Sequence, residues 1–171
     1  MSMTRTIPTP PDSQILVLEQ SGRWIRTLRR CWNHPTQSRR TRFCRLLDAD
    51  DLLVEINFPG SNLVQIRLPT CVLIEFDDSP NKMMLPVIAK LIRRMPHVAF
   101  WACLEKKQYD AELALNHCGF IETYSSLRQI ERLQIQMSRH IASFPPVEWP
   151  LDLRIKHSYP WDNRIRLPDG R

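Results

Sequence analysis

Residues 71–80 read CVLIEFDDSP, an apolar run that ends in Glu75, Asp77 and Asp78 ahead of a Ser-Pro turn. Carboxylates released at the end of a buried strand suit two chemistries. They hold a divalent cation against phosphoryl oxygens, or one of them attacks as a nucleophile. A second apolar run, ILVLEQ (15–20), also ends in an acid, Glu19. Work on a phosphoryl group needs both acids brought to one point, with a hydroxyl and a cation to balance the product charge.

The elements that must position these acids follow from periodicity. ILVLEQ reads as a buried strand, and GRWIRTLRRCW as a helix capped by Ser21, with Trp24, Ile25, Leu28 and Trp32 at helical spacing. TRFCRLL (41–47) alternates like a strand with one wet face. Residues 48–68 fit either a short helix capped by Asp48 or a hairpin about PGSN, the helix being preferred. After the strand CVLIEF, Ser79 and Pro80 open NKMMLPVIAKLIRRMP, a helix kinked or delayed by Pro86. HVAFWACL (97–104) is a strand, KKQYDAELALNHCGF a helix closed by Gly119, and IETYS a short strand. LRQIERLQIQMSRHIASF is a last helix with Ile130, Leu133, Ile135, Met137 and Ile141 on one face.

Strands alternating with helices predict a three-layer α/β/α sandwich around a five-stranded parallel sheet of order 2-1-3-4-5, the flavodoxin-like class. Residues 1–13, with three prolines, read as a flexible lead-in, 14–142 as the domain, and 143–171 as an extended Pro- and Trp-containing tail.

The element order and lengths over roughly residues 14–142 resemble the response-regulator receiver domain, the phosphoryl-accepting module of bacterial two-component signalling. The resemblance implies an acidic pair after the first strand, an acceptor Asp ending the third, a Thr or Ser after the fourth and a Lys, usually before Pro, after the fifth. Here the pair is Glu19 and Gln20, and amides are poor ligands for a hard cation. The acceptor position falls on Glu75, whose extra methylene moves the carboxylate by about a bond length, and a misplacement of about 1 Å costs on the order of 10²-fold. A two-residue shift offers Asp77. The hydroxyl position reads Ala102, or Cys103 with a one-residue shift, and the Lys-Pro position reads Ser125-Ser126. The resemblance therefore implies a degenerate receiver, or pseudo-receiver. It would be non-enzymatic, with no catalytic residue, cofactor or metal, and Glu19, Glu75, Asp77 and Asp78 would form a solvated acidic rim. A phosphorylatable receiver using Glu19 and Asp77 with Mg²⁺ is the alternative.

Other chemistries are poorly served. GxGxxG and GxxxxGK[ST] are absent, and the loop EQSGRW has too little free backbone N–H for a flavin phosphate. The five His are scattered, and no two of the five Cys are spaced CxxC, which speaks against zinc and disulfides. His117 and Cys118 do not form a nucleophile pair, since sequence neighbours point apart on a helix.

The net charge is +6, unevenly spread. Residues 1–40 carry seven Arg against Asp12 and Glu19, and residues 41–80 carry seven acids against three Arg. The basic helix RWIRTLRR allows a nucleic-acid partner, but an amphipathic surface helix is the commoner source of such a pattern and is the preferred reading. The tail WPLDLRIKHSYPW keeps Trp149, Leu151, Leu153, Ile155, Tyr159 and Trp161, residue types that anchor protein–protein contacts. Short bacterial receiver-like proteins with an aromatic Pro-Trp terminus look similar. Docking of an unknown protein partner, self-association and folding back over the domain all remain open. With neither a signal peptide nor a membrane span in the sequence, a cytoplasmic, non-membrane protein is expected.

Overall fold

A computed structural model describes residues 12–32, 40–57, 68–76, 84–95, 97–104 and 109–144. The chain runs β1 (Ser13–Leu18), α1 (Arg23–Cys31), β2 (Thr41–Leu46), α2 (Ala49–Asn57), β3 (Thr70–Phe76), α3 (Met84–Arg94), β4 (Val98–Leu104), α4 (Tyr109–Cys118), β5 (Thr123–Tyr124) and, after a 3₁₀ turn at Leu127–Gln129, α5 (Ile130–Ala142). All pairings are parallel, in the order β2-β1-β3-β4-β5. This is the doubly wound sheet that the sequence predicts.

The period of two along each strand divides the core. Ile15, Val17, Cys71, Leu73, Trp101 and Cys103 face α1 and α5, where they meet Trp24, Leu28, Leu133 and Met137. Leu16, Leu18, Val72, Ile74, Phe100 and Ala102 face α2, α3 and α4 and pack on Leu52, Ile88 and Leu115. Strands β1 and β4 are buried throughout, as parallel strands covered on both faces must be. Edge strand β2 is only partly covered.

The open choice at 48–68 resolves as a helix over Ala49–Asn57; Asp48 caps it, accepting the Asp51 N–H at 2.8 Å. Residues 58–67 lie outside the described set. Helix α3 is described from Met84, which puts Pro86 in its first turn, where its missing N–H leaves no intrahelical bond unmade. Gly119 closes α4 at φ +99°, a conformation side-chain-bearing residues rarely adopt; a Cβ there would also meet Ile92 Cγ2 at 3.0 Å.

Two expectations need correction. Ile135 does not join the buried face of α5: it is 51% exposed, and Gln134 is buried beside Leu133 instead. Nor does Ser21 cap α1 by itself, because residue 22 intervenes as a left-handed glycine and a carboxylate from the preceding strand end does most of the work. The lead-in at 1–11 and the tail from 145, with Trp149, Leu151, Leu153, Ile155, Tyr159 and Trp161, lie outside the described residues, as do Asp77 and Asp78.

Candidate functional site

Parallel pairing aligns β1 and β3 with Leu18 opposite Ile74, so Glu19 and Glu75 leave the sheet side by side at its carboxyl edge. Such an edge is where open α/β sheets place their ligands. The two acids do converge, since the Ser21 hydroxyl lies 3.4 Å from Glu19 Oε2 and 3.3 Å from Glu75 Oε2. Its single proton serves one of them at a time.

Glu19 is 2% exposed. One carboxylate oxygen accepts the Trp24 backbone N–H at 2.9 Å and the other accepts that of Ile25 at 2.8 Å. These are orphan donors of the first turn of α1, a turn that contains no acid of its own. The helix macrodipole adds to the attraction for an anion there. Glu19 is therefore a helix cap supplied from a strand end, and the expected solvated rim is corrected at this residue: its carboxylate faces backbone amides rather than water.

Glu75 is held differently. Its Oε1 accepts Arg23 Nε at 2.9 Å, Arg23 Nη2 at 2.8 Å and the Trp24 indole Nε1–H at 3.2 Å. The Glu75 side chain is 7% exposed and the Arg23 side chain 43%, so the guanidinium closes the carboxylate off from solvent. A cation in the first turn of a helix sits at the unfavourable end of the dipole, and Glu75 offsets that cost.

The rest of the edge is fixed from behind. Gln20 turns away from the acids and donates to Leu47 O at 2.9 Å. Arg45, from β2, donates to Glu19 O at 3.3 Å and also to Gln20 O. Its guanidinium runs beneath Gly22, where a Cβ would stand 3.4 Å from Arg45 Cζ. Across the sheet, Cys103 pairs in register with Glu75 and thus takes the hydroxyl position that sequence left between Ala102 and Cys103. Burial, and after it the charges of Glu75 and Glu19, push the Cys103 thiol well above its ordinary pKa, so it stays protonated and inert. Ser125 N–H donates to Gln129 Oε1, and Ser126 caps the 3₁₀ turn by accepting the Arg128 N–H. The cation that the described residues bring to Glu75 is Arg23.

A Mg²⁺, which the receiver resemblance implies, does not fit the donor set that the described residues present. Both Glu19 oxygens and Glu75 Oε1 are filled by N–H donors, Gln20 is turned away, and a guanidinium stands against the carboxylate a metal would need. Among the described residues no group of three or more His, Cys, Asp or Glu comes together to hold an ion.

Sequence reasoning found both carboxylates and missed Arg23, Trp24 and Arg45. The signal was present in EQSGRW: an acid five residues ahead of a first-turn Trp, with an intervening Gly, is cap spacing. The arginines of α1 are not simply a basic surface: three have internal partners. Besides Arg23, Arg26 donates to Gly22 O at 2.9 Å and Arg29 to Phe43 O at 3.0 Å.

No family profile and no curated protein matches the chain in sequence. Its fold has clear counterparts among solved structures. A candidate pilus assembly-related protein from Burkholderia pseudomallei superposes with a TM-score of 0.57 at 16% identity, covering 81% of this chain and 96% of the other. A response regulator from Thermotoga maritima gives 0.56 at 8% identity over 76% and 98%. A candidate pilus assembly protein from Burkholderia thailandensis gives 0.53 at 16% identity over 76% and 98%. The fold is that of the receiver domain. No helix among the described residues is long and apolar enough to cross a membrane.

Proposed function

We propose that the chain is a non-catalytic module of receiver fold that acts through protein–protein contacts and accepts no phosphoryl group. The clamp of Arg23 on Glu75 carries this reading. A receiver is switched when a metal and a phosphoryl group enter between its acids; here the protein's own guanidinium and indole N–H take the acceptor's oxygens, and Glu19 is committed to holding α1. Such an edge stays in one arrangement. The response-regulator neighbour supports a signalling role for the fold. Two neighbours described as candidate pilus-assembly proteins share the fold, which is consistent with a role in contacts between proteins. Partner recruitment is assigned to the tail aromatics Trp149, Tyr159 and Trp161.

Incubation with acetyl phosphate and Mg²⁺ followed by intact-mass measurement is the test. The mass stays unchanged while a working receiver treated in parallel gains one phosphoryl group. A stoichiometric adduct would instead favour the alternative in which Asp77 accepts beside Glu19. Nucleic-acid binding is the weaker reading, because Arg23, Arg26 and Arg29 have partners within the protein.

A further inference from the structure

The outer face of α2 and α3 carries its own electrostatic complement. A shallow groove of about 150 Å³ runs between the two helices, lined by Ala49, Asp50, Leu52, Leu53, Val87 and Leu91 among others. Val54, on the outer side of α2, is 58% exposed and Val87, on the groove wall, is 46% exposed, apolar area left in water. Where α2 starts, Asp48, Asp50 and Asp51 are all exposed. Towards the end of α3, Lys90, Arg93 and Arg94 are all exposed. Both helices run antiparallel to the strands, so the acids sit at the carboxyl edge and the bases at the opposite end. The same division is written along the two helices: α2 opens on DADD, and α3 ends on KLIRR with no acid of its own.

We propose that this face binds a second copy of the chain across a two-fold axis. An axis lying in the face and crossing the Asp50-to-Arg94 line at right angles exchanges its two ends. The acids of each copy then meet the bases of the other, and both charge contacts form at once, as an isologous interface requires. Val54 and Val87 lie between the charged ends, where burial supplies the driving force while the charges fix the register. A partner of one charge sign would satisfy one end and repel the other. The proposal deepens the interaction-module reading and rests on it.

The decisive experiment measures the mass of the full chain by light scattering in low salt, with Asp50→Lys/Asp51→Lys as one variant and Lys90→Glu/Arg94→Glu as the other. The wild type is expected at about twice the chain mass, and each variant alone at the monomer mass, because like charges then face each other twice. An equimolar mixture of the two variants is expected to return to the dimer mass, since in the mixed pair both contacts are again opposite in sign. Circular dichroism on each variant separates loss of association from loss of folding. A monomeric wild type, or variants that stay dimeric, would overturn the proposal, the latter locating self-association on another surface such as the tail. Partner capture by the wild type and a Trp149→Ala/Trp161→Ala variant is scored separately. A monomer that still recruits a partner through those residues refutes self-association alone and leaves the interaction-module reading standing.

Discussion

Two carboxylates in this molecule each accept from an aromatic side chain and a guanidinium and reach different ends. At the carboxyl edge Glu75 takes an aromatic N–H from Trp24 and a guanidinium from Arg23. At the far side of the sheet Glu122 takes the Tyr124 hydroxyl at 3.0 Å, the Gln136 amide and the Arg132 guanidinium. Gln136 in turn receives the Trp101 indole N–H at 2.8 Å, so this second cluster ties β4 and β5 to α5. The Glu122 side chain remains 23% exposed against 7% for Glu75, and the position, not the chemistry, is what sets them apart. One cluster rims a sheet edge where acids are expected to be structural; the other fills the place where such folds put a metal. An acid at a strand end is therefore no measure of catalysis until the partners of its oxygens are known.

The comparison can be broken by substitution. The largest effect is expected for Glu19→Ala, which leaves two first-turn N–H groups buried without acceptors. A loss of about 2–4 kcal/mol in urea denaturation is expected, and a loss below about 0.5 kcal/mol would show that the cap is dispensable.

Tyr124→Phe removes the ring donor of the other cluster and should cost about 1 kcal/mol. It also has a pH signature. Burial first, then the hydrogen bond to Glu122 and the charge of Glu122, push the Tyr124 pKa up from 10.0, so the folded state keeps a proton that the unfolded chain gives up. Stability from this group is whole below pH 10 and falls as the pH rises above it; in Tyr124→Phe that alkaline slope should flatten.

His140 carries the opposite sign. It is packed against Trp101 and Phe144, and burial lowers its pKa below 6.5, a shift partly opposed by hydrogen bonds to the backbone of His97 and Thr70. The unfolded chain then binds the proton first, so stability present above pH 6.5 is lost as the pH falls below it. Denaturation curves of His140→Gln between neutral and acidic pH should show a shallower acid slope than wild type.

Arg23→Met is expected to have the smallest effect on stability, under about 1 kcal/mol, because nearly half of the arginine side chain is in water and the pair is screened. A loss as large as that of Glu19→Ala would make the clamp a main support of the fold.

Most of the architecture was legible in the sequence because buried parallel strands announce themselves. CVLI and VAFWACL are continuous apolar runs, and the helices that follow the strands carry 3.6-residue stripes. Ile135 stands two residues from both Leu133 and Met137, a spacing that turns it to the opposite side of the helix, whereas Gln134, four residues after Ile130, falls on the stripe and is buried despite its amide. Both acids of the site were legible, each at the end of an apolar run. The clamp was not. Arg23 lies 52 residues from Glu75, and a lone arginine in a basic helix carries no mark of its long-range partner. Glu19 was read as a rim for a related reason: only the left-handed turn at Gly22 swings the start of α1 back over the strand end.

The clamp is tested most directly by following the Trp24 indole N–H signal in the NMR spectrum while Mn²⁺ is added. With Arg23 on Glu75, that signal should stay as sharp as the other tryptophan indoles at millimolar Mn²⁺. Selective, saturable broadening of Trp24, reversed by excess Mg²⁺, would mean that a divalent cation displaces the guanidinium and would contradict a closed acidic edge.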